Sequence, residues 1–170
     1  MVIAYVPEQG RHGLRILPPL DINKLAQETG DLEEVFLLVY GPGATPTRPK
    51  DLRWSLAWRV SNGGWKHIHV TAENTLYDPQ MPWRYVYWGP QNKTAELDNC
   101  KARRMSLGVM DVATRRRIKA LAWEVGVAKP NRQWTGQHWI IALLHKLYEN
   151  KVLTQAQWSK AIAQAPHRTC

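Results

Sequence analysis

The sequence predicts an α+β domain, a small antiparallel sheet of about five strands packed against three to four helices. Three observations point there. Residues 52–60 alternate, with Leu52, Trp54, Leu56, Trp58 and Val60 on one face and Arg53, Ser55, Ala57 and Arg59 on the other, the period of a strand. Asn62-Gly63-Gly64 follows with the residues that accept positive φ in a hairpin turn, and residues 65–71 return as its partner, with Trp65, His67, His69 and Thr71 sharing a face. Beyond residue 110 the apolar period changes, Ile118, Leu121, Ala122 and Val125 recurring at helical spacing. Strands first and helices afterwards is the order of an α+β chain.

The remaining elements follow in order. Residues 1–20 hold three Pro and two Gly around short apolar runs and read as an extended arm, with a short strand at Val2 to Val6. Asp21 caps a short helix reaching Gln27. Val35 to Tyr40 is a continuous apolar run, the signature of a strand buried on both faces, and the Pro- and Gly-rich residues 41–50 form a loop. Further strands are expected at Trp83 to Trp88 and Arg103 to Met110. Asp111 caps a helix from Val112 to Val125, ended by Gly126 and Pro130. Thr135 caps the next, whose buried stripe is Trp139, Ile140, Leu143, Leu144 and Leu147. Thr154 with Gln157 three residues later is a capping box that opens a last helix, ending near Pro166.

At 170 residues the chain fits a single domain, 1–170, large enough to bury roughly 70% of its unfolded surface without disulfide or metal. Nine Trp against one Phe favours large amphipathic side chains, suited to lining a core or a groove. The net charge of +9 raises encounter rates with anionic partners. Its densest runs, Lys101 to Arg104 and Arg115 to Lys119, lack the Gly-flanked aromatic pattern of an RNA-recognition sheet, so a solvated basic face ranks ahead of nucleic acid or an anionic membrane. Two cysteines, Cys100 and Cys170, supply neither a disulfide framework nor zinc spacing, and His67 with His69 has no evident third ligand. No cofactor is expected. No run approaches the ~20 apolar residues of a membrane span, and no secretory leader is apparent, which together predict an intracellular, cytoplasmic address.

Trp134-Thr135-Gly136-Gln137-His138-Trp139, at the start of an apolar helix, carries a resemblance. With the earlier strand beginning Arg53-Trp54 and the His69 position after the Gly-rich turn, it resembles a family of small fungal proteins laid out like circularly permuted papain-like enzymes, the lecithin:retinol acyltransferase and NlpC-related groups. There a His-Trp strand comes first, a second strand brings a polar residue, and an Asn-Cys-x-x-Trp motif opens a later helix. The likeness spans roughly residues 35–165 and implies a papain-like core. Arg53 stands where that family has its His, and Gly136 where it has its Cys. Without a thiolate there is no acyl-enzyme, and a guanidinium with a pKa above about 12 accepts no proton near neutrality. Cys100 also follows an Asn, but Lys101-Ala102-Arg103-Arg104 leads from it into a strand and not into a helix.

The resemblance therefore implies a catalytically degenerate scaffold that acts as a binding or interaction module. An anion-binding pocket is expected at the former active site, with Arg53, Trp54, Trp65, His69, Thr135, Gly136 and Gln137 around the ligand. A helix N-terminus presents unpaired N–H groups, and Gly136 adds no side chain to obstruct them. An acidic small molecule or a protein chain would be the partner. Two other classes stand beside this one: an acid/base isomerase or cyclase that uses His69 or His138 without a covalent intermediate, and a basic nucleic-acid-binding protein.

Overall fold

The computed structural model describes residues 3–14, 16–20, 22–41, 52–75, 79, 81–93, 102–131 and 133–165. It is an α+β fold with, among the described residues, seven strands: β1 (Glu33–Tyr40), β2 (Arg53–Arg59), β3 (Trp65–Ile68), β4 (Thr71–Asn74), β5 (Trp83–Val86), β6 (Gln91–Lys93) and β7 (Arg103–Met110). Three α-helices among the described residues follow, α1 (Val112–Trp123), α2 (Gly136–Glu149) and α3 (Gln155–Gln164). Five strands form an antiparallel sheet in the order β6-β3-β2-β1-β7, and β4 pairs with β5 in a separate two-stranded sheet.

The alternation of β2 sets the two sides of the large sheet. Trp54, Leu56, Trp58 and Val60 enter the main core with Leu37, Val39, Ile68 and Met105, and with Ile118 and Leu121 of α1 and Trp139, Ile140, Leu143, Leu144 and Leu147 of α2. This is the helix-covered side. The opposite side holds a smaller cluster, Leu38, Ala57 and Trp65, with Phe36, Tyr40 and Ala102 packed against it. Cross-strand partners point the same way, so the pairs Lys93–Trp65, Trp65–Arg59, His67–Ala57, Leu38–Ser55, Leu38–Arg104 and Tyr40–Arg53 place all these residues on this outer face.

Most elements lie where the sequence puts them. The hairpin from β2 to β3 turns through Asn62 at φ 57° and Gly63 at φ 71°. Asp111 caps α1, accepting from the Thr114 N–H at 2.7 Å, and Thr154 and Gln157 form the expected capping box on α3. Two expectations need correction. Instead of a helix, residues 22–26 make one turn, closed by bonds from Leu25 and Ala26 to the Ile22 carbonyl; so short a segment cannot offset the cost of helix nucleation. Its expected cap, Asp21, lies outside the described residues, as do Val2, the loop 42–50, Lys101, Pro166, Cys100 and Cys170.

The second correction concerns the N-terminal arm, which is docked and, among the described residues, forms no strand beyond a single bridge from Tyr5 to Ala128. Val6 N–H bonds the Val127 carbonyl at 2.8 Å, Tyr87 N–H bonds the Gln9 carbonyl at 2.9 Å, and the Arg11 guanidinium lies 5.0 Å from the Trp123 ring centroid. A second tie joins the segment before β1 to α1. Arg115, with no exposed surface, reaches Glu28 Oε1 at 3.1 Å and the carbonyls of Thr29, Asp31 and Met110 at 2.8, 2.9 and 2.7 Å. Lys119 joins the other Glu28 oxygen. Burial pulls the Glu28 carboxyl upward, but hydrogen bonds and charge from Lys119 and Arg115 outweigh it, and the net shift is down. No helix among the described residues is long and apolar enough to cross a membrane.

Candidate functional site

On the helix-covered side, the α2 N-terminus is occupied by the protein's own groups. Thr135 is the N-cap, and its N–H donates to His138 Nδ1 at 3.0 Å, with its Oγ1 also 3.0 Å from that nitrogen. Nδ1 is thus an acceptor, and the ring proton of neutral His138 sits on Nε2. The Gly136 N–H donates to the phenol oxygen of Tyr85, whose ring stands edge-on to Trp134 with centroids 5.2 Å apart. The His138 N–H closes onto the Thr135 carbonyl at 3.0 Å. Gln137 is 2% exposed, and its Nε2 donates to the Leu52 carbonyl at 2.9 Å, tying the first turn of α2 to the start of β2.

The site of the absent thiol is also narrow. A Cβ built at Gly136 would lie 3.2 Å from Val70 Cγ2, tighter than ordinary contact, and 3.8 Å from the Tyr85 ring. The groups facing Gly136 are therefore an apolar side chain and a phenol whose pKa is raised by burial, the Gly136 N–H opposing that shift in part. Neither can serve as a base near neutrality. Trp54 lies in the same helix-side core, 3% exposed.

Arg53, Trp65 and His69 lie on the other face. Arg53 is exposed at the first position of β2, opposite Tyr40. Its neighbour in charge is His69: burial lowers the His69 pKa well below 6.5, and Lys93, His67 and Arg53 lower it further. The residue as a whole is partly exposed, but Nδ1 is buried and has no hydrogen-bond partner among the described residues. His67, 6.0 Å away centroid to centroid and edge-on, is 2% exposed, and its Nδ1 lies 3.0 Å from Ser55 Oγ. Burial, with Lys93 adding to it, lowers the His67 pKa to about 3. Both imidazoles are neutral at physiological pH.

Trp65 shares this face at 3% exposure, with the guanidiniums of Arg59 and Arg104 at 5.0 and 5.2 Å from its ring centroid. The seven residues expected around one ligand thus fall into two groups separated by the sheet. Thr135, Gly136, Gln137 and Trp54 belong to the helix side, whereas Arg53, His69 and Trp65 belong to the outer side, with Ser55, His67 and Lys93 beside them. No group of three or more His, Cys, Asp or Glu placed to hold a metal ion occurs among the described residues.

Tyr85, Ser55 and Lys93 are the members that sequence reasoning missed. The Ser55 signal was present, since it shares a strand parity with Arg53, and that parity also separates Arg53 from Trp54. Tyr85 and Lys93 reach the site through β5 and β6, and no spacing pattern links those strands to β2 or α2. No family model, curated protein or solved structure matches this chain.

Proposed function

We propose that this protein is a non-covalent binding module whose ligand is anionic and docks on the outer sheet face against Arg53, His69 and Lys93. The observation that carries the reading is the environment of His69: among the described residues, the charged or titratable groups acting on it, Lys93, His67 and Arg53, are all basic. The positive field around this neutral imidazole favours a negative ligand, which both cations attract. The resemblance to a papain-like scaffold that has lost its Cys and His agrees with a binding role, and the crowded surroundings of Gly136 support it.

The acid/base alternative is weaker on the same observations. A His held far below its ordinary pKa is not an imidazolium near neutrality and so is no general acid, and as a base it is a poor acceptor. His138 Nδ1 is occupied by Thr135. Isothermal titration with inorganic phosphate and with citrate tests the binding reading. Heat of binding should appear with the native chain and be lost in Arg53→Ala and Lys93→Ala. Absence of binding, or binding indifferent to both substitutions, contradicts it.

A further inference from the structure

We infer that the anionic partner is a single-stranded nucleic acid lying across the outer sheet face, an inference that rests on the reading of that face as an anion site and extends it. The cations of that face are not adjacent in sequence but converge in the sheet. Lys93 comes from β6, Arg53 and Arg59 from the two ends of β2, and Arg104 from β7, the three arginines all exposed. Arg53 and Arg59 are six residues apart on one strand, about 20 Å, and the five strands span about 19 Å from β6 to β7. That is an area for a chain of charges, larger than one phosphate needs.

Two features favour a phosphodiester chain over other polyanions. First, Arg59 and Arg104 both lie over the Trp65 indole, which holds two otherwise flexible guanidiniums in place before any ligand arrives. Second, Phe36 and Tyr40 of β1 are half-buried on this face between the cations, ring surfaces of the kind on which bases stack in single-strand sites. The acidic residue of this face among the described residues, Glu34, lies toward the Arg59 end, two residues before the Phe36–Ala57 pair and beside Val109. Trp65 is too buried to stack on a base, so it acts as a support for the arginines. Recognition would run through phosphates and stacking, with little reading of base edges.

Fluorescence anisotropy of a labelled oligothymidylate, titrated with the full chain over a series of salt concentrations, tests this. The expected slope of log K against log salt is about −2 to −3, from three or four phosphate contacts at about 0.7 each. Arg59→Gln should weaken binding several-fold and reduce the slope by about 0.7, while phosphate binding at His69 stays as in the native chain. Phe36→Leu, which keeps an apolar side chain, should weaken oligothymidylate binding without changing the slope.

Thermal melts of both variants establish that they fold. Four results overturn the proposal: no oligonucleotide binding, binding unaffected by Arg59→Gln, polyglutamate binding as tightly as oligothymidylate, or binding to anionic phospholipid vesicles in its place. If phosphate binding at His69 fails while oligothymidylate still binds through Arg59, the small-anion reading falls and this one stands.

Discussion

Ser55 Oγ lies 3.0 Å from His67 Nδ1 in a part of the sheet where neither side chain has more than 2% of its surface exposed. Burial, reinforced by Lys93, holds His67 neutral down to about pH 3. In the unfolded chain the same imidazole takes up a proton near pH 6.5. Between those values the unfolded state binds more protons, so stability falls as pH drops from about 6.5 to about 3, by about 1.4 kcal/mol per pH unit for this one group. His69 acts in the same direction. Urea melts over this window should show the decline, and His67→Gln should flatten part of it. A melt independent of pH would contradict the burial of both rings.

Arg115 is predicted to be the most sensitive charged residue for stability. It is fully buried and bonded to Glu28 and three backbone carbonyls, so its removal leaves a half-buried carboxylate with only Lys119 and orphans the carbonyls. Arg115→Met should cost about 3–5 kcal/mol in a urea melt. Arg116→Met, on the exposed side of the same helix, should change stability by less than about 0.5 kcal/mol.

Gly10 holds the arm in place. Its φ is +82°, and an added Cβ would overlap the carbonyl oxygen of Tyr85. Gly10→Ala should cost about 1–3 kcal/mol from the backbone conformation alone, with the overlap in addition. Amide hydrogen exchange at Tyr87, whose N–H bonds the Gln9 carbonyl, should speed up as the arm detaches, while amides in the centre of β1 keep their protection.

Restoring a thiol should not restore a hydrolase. Gly136→Cys places a side chain against Val70 and the Tyr85 ring with no base facing it, so acyl transfer from an activated ester should show no burst beyond that of an ordinary surface thiol. Tyr85→Phe removes the acceptor of the Gly136 N–H and should cost about 1–3 kcal/mol. A rapid ester burst from the Gly136→Cys chain would show that the α2 terminus retains a base.

The elements that face the main core were legible because their period is dictated by burial. Leu52, Trp54, Leu56, Trp58 and Val60, in β2 and immediately beside it, pack toward the helices as their alternation indicates, as does the Trp139 to Leu147 stripe of α2. β4 and β6 were not legible: Thr71–Asn74 and Gln91–Lys93 are short, polar and defined by pairing with distant partners. The site was half legible for a related reason. Arg53, His69 and Gly136 were singled out one at a time, but whether they meet depends on which side of the sheet each faces. The alternation that buries Trp54 under α2 turns Arg53 the other way, and the Tyr85 phenol that meets Gly136 arrives on β5.

The most direct test of the outer-face anion site is the His69 titration followed by the NMR shift of its ring Cε1 proton, with and without phosphate. Bound anion should offset the field of Lys93, His67 and Arg53 and raise the His69 pKa toward 6.5, and Arg53→Ala should raise it somewhat in the absence of phosphate while abolishing the phosphate response. Identical titration curves with and without phosphate in the native chain would contradict the account.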